Sequence, residues 1–274
     1  MSERVESALQ SAAFAGSIEG IAPEDSHALS FALARARDFA VAPISNFRVG
    51  ALAVGASGSC YLGANMEFIG VPLNASLHAE QSALCNARAH GEQAVRLLIV
   101  SELPCGHCRQ FLQELWDAPN LEIRVGEHAK TLAALMPNPF AQIRTEGQSL
   151  LDSPLQKLKF SEAGPGGSEQ SLIEAAAMSY TPYSQSPEGV LLETTTGKRF
   201  TGNAIESIAF NPSIPPVIAA LNQKNLSFSR KETVNRCLHA RLGTSLNHSF
   251  ALTEAIMGGV DGIPVERFLM ECTE

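Results

Sequence analysis

His78 and Glu80 stand two apart in the stretch "NASLHAEQSAL", and Cys105, 27 residues after His78, opens a Cys-Gly-His-Cys run behind Pro104. One imidazole and two thiolates, His78, Cys105 and Cys108, form the donor set of a catalytic zinc ion, which takes three protein ligands and leaves its fourth position to water. A CxxC at the start of a helix lets both sulfurs reach one ion, and the helix N-terminus offsets part of their charge. Glu80 then stands beside that water to move protons. Taken singly, the parts have other readings. A CxxC also serves as a redox pair or as half of a structural zinc site, and an HxE on a helix is ordinarily surface. Cys85, about two helical turns beyond His78 on the same face, is a candidate fourth ligand. A closed site would leave Glu80 without a task, so Cys85 is expected to be buried packing. His107, between the two cysteines, is expected to face solvent.

The elements around these residues follow from pattern. Apolar residues recur at helical spacing from Ser26 in "SHALSFALARARDFA", with Asp25 or Ser26 as the N-cap. "FRVGALAVGASGSCYLGANME" reads as two strands joined by a turn near Gly55–Gly58. "SLHAEQSALCNARAH" is helical, "VRLLIVS" is a buried strand, "CGHCRQFLQEL" restarts a helix after Pro104, and "LEIRVG" is another strand. Strands alternating with helices indicate α/β layers. The clearest linker is "SEAGPGGS", residues 161–168.

At 274 residues and 45% apolar content the chain can bury a large core. Its formal charge of −8 argues against a partner bound through phosphates, which call for a basic field. No apolar run reaches the roughly 18 residues a membrane span needs, and "MSERVESALQ" lacks the apolar core of a secretory signal. A cytoplasmic, small-molecule enzyme is the expectation, with the cysteines reduced.

The second half echoes the first at a fixed offset of 139. Pro43, Ser45, Gly50, Leu52, Gly58, Gly63 and Glu67 recur as Pro182, Ser184, Gly189, Leu191, Gly197, Gly202 and Glu206. Ordinary residue frequencies give about one or two such identities over this stretch, so duplication is the better account. With a two-residue shift, Pro215 falls where His78 stands and Val217 where Glu80 stands. The second half therefore repeats the scaffold without the chemistry.

The joint pattern, HAE followed by PCxxC, is the signature of zinc nucleobase deaminases. With "FRVGA", "GANMEF", "HAEQSA" and "PCGHCRQF" in that order, the chain resembles the cytidine deaminase family, and its metal-free second half resembles the dimeric, two-domain branch. The resemblance is closest over 25–150, lesser over 170–225 and weak beyond 226. It implies a three-layer α/β/α fold with a mixed central sheet, duplicated as a catalytic and a degenerate domain. The implied division is an N-terminal helical segment (1–24), a catalytic domain (25–150), a linker (151–168) and a degenerate domain (169–274). The resemblance also implies one zinc per chain on His78, Cys105 and Cys108, with Glu80 as the catalytic proton shuttle. It assigns Asn65 and Glu67 to the ribose, Phe47 to stacking on the base, and Ala79 to substrate contact. Phe210, in "AFNP", would be lent to a partner's site in a homodimer. The implied reaction is hydrolysis of cytidine or deoxycytidine to uridine or deoxyuridine and ammonia. Competing readings are a polynucleotide deaminase, which the charge disfavours, and a zinc-stabilised interaction protein without activity.

Overall fold

The computed structural model describes residues 17–18, 25–142 and 145–273. Most of the expected helical segment over 1–24 lies outside the described residues. The part inside, β1 (Ser17–Ile18), is extended and pairs antiparallel with Tyr61 and Cys60.

Helix α1 (Ser26–Arg37) starts at Asp25, whose carboxylate accepts the Ala28 N–H at 2.9 Å, and it buries Leu29, Ala32 and Ala36. Strands β2 (Gly50–Gly55) and β3 (Cys60–Ala64) form a hairpin whose turn holds Gly58 at φ 89°, a backbone region glycine enters without penalty. Helix α2 (Ala79–Ala89), β4 (Val95–Val100), α3 (Gly106–Phe111), β5 (Glu122–Val125), β6 (His128–Thr131) and α4 (Leu132–Leu135) follow. The first sheet runs β1-β3-β2-β4-β5-β6 and is mixed: β4 and β5 are parallel, the other pairs antiparallel.

The second half supplies β7 (Leu158–Phe160), α5 (Glu169–Ala177), β8 (Glu188–Thr194), β9 (Arg199–Asn203), α6 (Pro216–Asn225), β10 (Val234–Leu242), α7 (Phe250–Val260) and β11 (Val265–Cys272). Its sheet order, β9-β8-β10-β11-β7, repeats β3-β2-β4-β5-β6, with β10 and β11 as its parallel pair. The last 50 residues thus complete the second sheet, α7 making the crossover that parallel strands require. One boundary differs from the sequence expectation. Residues 158–160 fall in the presumed linker, yet they pair with Met270–Cys272 as the edge of the second sheet.

The repeat extends to local detail. Ala51 pairs with Val100 and Val190 with His239, each at the offset of 139. Isolated bridges join Val41 to Met66 and Tyr180 to Ile205, and the left-handed residues Asn46 (φ 55°) and Gln185 (φ 51°) also correspond.

The layers explain how the halves combine. In the first sheet Leu52, Val54, Leu62, Leu97 and Ile99 pack with α1, while Ala51, Ala53, Leu98 and Val100 face α2. In the second, Leu191, Leu238 and Ala240 pack with α5, whereas Val190 and Leu192 join the same core as α2 and α6. The two α/β/α units therefore share one middle layer, with α2 and α6 between the sheets. Both helices are buried all round, polar residues included. Several of the polar ones are paired across the seam: Ser82 Oγ donates to Asn222 Oδ1 at 2.6 Å, and Arg88 Nε donates to Met178 O at 3.2 Å.

Candidate active site and metal centre

Three devices bring the candidate residues together. Leu77 is fixed by mutual hydrogen bonds with Met66, so the chain enters α2 at a set point, with His78 extended as its N-cap. Gly63 lets α2 lie directly on β3, since a Cβ there would sit 2.3 Å from Ala79 O and from Ala83 N. Cys105 is the N-cap of α3, behind the buried Pro104, and Cys108 is fully buried one turn on.

The ligand atoms of His78, Cys105 and Cys108 all lie within 4.8 Å of one another. His78 Nδ1 is 3.5 Å from Cys105 Sγ. Zinc–nitrogen and zinc–sulfur bonds at tetrahedral angles put those two atoms about 3.5 Å apart, so the donors present fit a tetrahedral zinc ion. The electrostatics agree. Hydrogen bonds from Cys108 and His78 hold the Cys105 thiol down to about 3, making it a thiolate. His78 is raised, first by its hydrogen bond with Cys105, so a positive charge is favoured where the metal would sit. Cys108 is raised well above the usual thiol range by the neighbouring Cys105 and by burial, so its proton is one that a bound metal must displace.

Glu80 lies in the first turn of α2 and is only 4% exposed. Burial is the main cause that raises its carboxyl above the usual range, which suits a group that must both give and take a proton. Cys85 is fully buried, its thiol pushed up to about 12, and it does not join the metal cluster, as its packing role requires. His107 departs from expectation. It is half-buried, and its ring stacks on His78 with centroids 4.8 Å apart and 23° between planes.

A cavity of about 270 Å³ opens beside Glu80 and Cys105, bordered by Phe47, Val49, Asn65, Glu67, His78 and Ala79. Phe47 is 53% exposed at the edge of this cavity. Asn65 and Glu67 do more than border the cavity. Asn65 Oδ1 accepts the Val49 N–H at 2.9 Å and its Nδ2 donates to Phe47 O at 2.9 Å. Glu67 accepts the Ile44 and Ser45 N–H groups at 2.8 and 3.0 Å, together with the Ser45 hydroxyl. These two side chains build the loop that presents Phe47. Sequence reading assigned them only to the ribose, because a loop-fixing bond between residues 20 apart leaves no local pattern. Glu102 and Leu103 also border the cavity. They went unnamed, although their place just before PCxxC was a usable signal. Phe210 is 71% exposed at φ 60° and borders a separate cavity of about 390 Å³ with Gln81 and His107, apart from the cavity beside Glu80.

The second half has Ser186 at the Phe47 position, Ala204 at the Asn65 position, Pro215 capping α6 where His78 caps α2, and a buried Val217 for Glu80. Only Glu206 persists, and it accepts from Tyr183 N–H, Ser184 N–H and the Ser184 hydroxyl just as Glu67 does from its own loop.

Residues 23–119 and 132–241 each match the cytidine and deoxycytidylate deaminase zinc-binding region. The cytidine deaminase of Pectobacterium carotovorum subsp. carotovorum (strain PC1) is 38% identical over 256 residues, covering 90% of this chain and 84% of that protein. The chain belongs to the cytidine deaminase family. The cytidine deaminase of Yersinia pestis (strain Pestoides F) is likewise 38% identical over 253 residues, covering 91% of this chain and 85% of its own length. A solved cytidine deaminase from Mycobacterium tuberculosis matches 43% of this chain at 28% identity with a TM-score of 0.40, the match covering 98% of that smaller chain. Zinc is the metal the family's domain carries, and the His78, Cys105 and Cys108 trio fits it. Among the described residues no helix is long and apolar enough to cross a membrane.

Proposed function

We propose that this cytidine deaminase family member converts cytidine and deoxycytidine to uridine and deoxyuridine with release of ammonia, using one zinc ion per chain. The observation that carries this reading is the buried Glu80 beside the His78, Cys105 and Cys108 cluster, at the wall of a cavity sized for a nucleoside. Zinc held by those three residues would supply Lewis acidity that makes a water molecule nucleophilic near neutral pH. Glu80 takes a proton from the attacking water and delivers it to the cytosine ring nitrogen, which leaves the amine-bearing carbon electrophilic. Once the new C–O bond has formed, Glu80 takes the remaining proton from the hydroxyl on that carbon and gives it to the amine, so that the C–N bond breaks, ammonia leaves and the carbonyl of uracil forms. Phe47 stacks on the pyrimidine. Asn65 and Glu67 hold the sugar through the hydrogen-bonding capacity left after fixing the Phe47 loop, and a competitor lacking the hydroxyl leaves that polar site unfilled. Ala79, 1% exposed at the start of α2, forms the floor beside Glu80.

The protein acts on free nucleosides in pyrimidine salvage in the cytoplasm, with neither nucleic acid nor membrane as partner, in keeping with its charge of −8. A homodimer, with the exposed Phe210 ring reaching the partner's site, completes the reading. Phe210→Ala is then expected to raise KM with zinc content intact. Unchanged kinetics would remove Phe210 from the site.

The deciding experiment measures zinc content together with ultraviolet-monitored cytidine turnover for the wild type and Glu80→Ala. One zinc per chain in both, with turnover in the wild type alone, supports the assignment. Zinc in both with turnover in neither would make the site structural and bring forward the interaction-protein reading.

A further inference from the structure

The metal donors come from two separate elements, His78 from the cap of α2 and the cysteines from the start of α3. Their spacing therefore depends on what holds those elements together. One turn of the degenerate half, Ser207–Ser213, is bonded to both. At one end Pro212 O accepts from Gln81 Nε2 at 2.8 Å, and Gln81 Oε1 accepts the backbone N–H of His78 itself at 3.1 Å. Gln81 is 1% exposed, so water cannot replace either bond. At the other end the Ile208 N–H donates to Glu114 Oε1 at 2.8 Å. Glu114 ends the 3₁₀ turn Leu112–Glu114 that runs on directly from α3, is fully buried, and also accepts the hydroxyls of Tyr180 and Tyr183 at 2.8 and 2.7 Å. The turn has its own internal ties: the Ser207 N–H donates to Ser213 Oγ at 3.0 Å and the Ser213 N–H donates to Phe210 O at 2.9 Å.

We infer that the Ser207–Ser213 turn of the degenerate half clamps the metal centre of the catalytic half, with Gln81 and Glu114 as the positioning residues through which it acts. The inference rests on the deaminase reading above and gives the half without ligands a task within it. Hydrogen bonds behind metal ligands commonly govern affinity and activity by about 10- to 100-fold. Here one such route, from the His78 N–H through Gln81 to Pro212 O, runs into the other half of the duplication.

The test follows zinc transfer from the full-length, zinc-loaded protein to a chromophoric chelator, with cytidine kinetics alongside. Gln81→Met keeps the shape of the side chain and removes both bonds. Glu114→Ala removes the acceptor for Ile208, whereas Glu114→Gln keeps one. Expected are zinc release at least about 10-fold faster in Gln81→Met and Glu114→Ala, a comparable fall in kcat with KM little changed, and rescue in Glu114→Gln. Either site decides the question if a variant at the other fails to fold. Asn225→Ala serves as the control for general weakening, since it cuts the Asn225 Nδ2–Phe39 O bond of 2.8 Å between the halves, away from the turn. It should lower the melting temperature without speeding release. Wild-type release rates in Gln81→Met, or release in Asn225→Ala as fast as in Gln81→Met, would overturn the clamp. A wild type that holds no zinc or leaves cytidine unchanged would instead overturn the deaminase reading, a different and separable result.

Discussion

Gly63→Ala tests whether the seat of α2 on β3 sets the catalytic geometry, and the duplication supplies its own control. A Cβ at Gly63 would stand 2.3 Å from Ala79 O and Ala83 N, both backbone atoms that cannot swing aside. Restoring ordinary contact requires α2 to move by about 1 Å, carrying His78, Ala79 and Glu80 with it. Overpacking of this kind costs about 1–3 kcal/mol of stability, and a 1 Å misplacement at a reacting centre costs about 100-fold in rate. In the second half, Gly202→Ala meets Ala220 N and Pro216 O at 2.2 Å, the same clash against α6, which carries no chemistry. The assay is thermal melting and cytidine turnover for both variants with zinc loaded. Similar losses of stability are expected, with activity falling about 100-fold in Gly63→Ala and less than about 10-fold in Gly202→Ala. Equal losses of activity would refute the reasoning, because the effect would then follow general stability and not the placement of α2.

Two further outcomes follow from the electrostatics. Zinc uptake by the metal-free protein near pH 7 is expected to release the Cys108 proton and none from Cys105, which is already a thiolate. Proton counting in weakly buffered solution reads this, and release of none would contradict the ordering of the thiols. In the second half Glu188 Oε2 pairs with His239 Nε2 at 3.0 Å and also accepts the Ser249 N–H at 3.1 Å, where the first half has Val49 and Val100. Burial holds His239 below its usual range, so it is neutral at pH 7. Glu188→Val should then cost about 2 kcal/mol by denaturant unfolding. Adding His239→Val should recover part of that, and strict additivity would refute the coupling.

The gathering of His78, Cys105 and Cys108 and most elements of the first half were legible from short patterns: a spacing, a cap, a glycine turn. The shared middle layer was not. Helix α2 carries Gln81, Ser82, Asn86 and Arg88 beside Glu80, and every one is buried. Their partners are Pro212, Asn222 and Met178 of the other half and Leu62 of β3, residues no window along the sequence brings near. Strand β7 was absorbed into a linker because three residues become a strand only when β11, over 100 residues later, pairs with them. His107 is expected in solvent from its place between the two cysteines, and the ring it stacks on comes from the cap of α2.

The duplication also offers a way to separate the loop-fixing bonds of Glu67 from the sugar contact proposed for it. Glu67 and Glu206 accept matching sets of hydrogen bonds from their own loops, yet their acidities move in opposite directions. Burial would raise Glu67, but the Ser45 hydroxyl and the Ser45 and Ile44 N–H groups outweigh it and lower the carboxyl. At Glu206, deeper burial wins over the equivalent bonds, and the carboxylates of Glu114 and Glu188 add to the rise. By linkage, Glu67 contributes stability that is present above its unfolded pKa and is lost as pH falls through its lowered folded pKa. Glu206 binds its proton more tightly in the fold, so ionising it costs stability as pH rises from the unfolded value through the raised one. Glutamine keeps an acceptor and a donor for either loop but carries no charge. Glu206→Gln should therefore melt at or above the wild-type temperature at pH 7, with the difference vanishing below the carboxylate range. Glu67→Gln should melt lower at pH 7 and also raise KM, because a charged acceptor left for a sugar hydroxyl is lost with it. If both variants shift stability in the same direction and neither changes KM, Glu67 does no more than Glu206 does, and its carboxylate belongs to the loop alone.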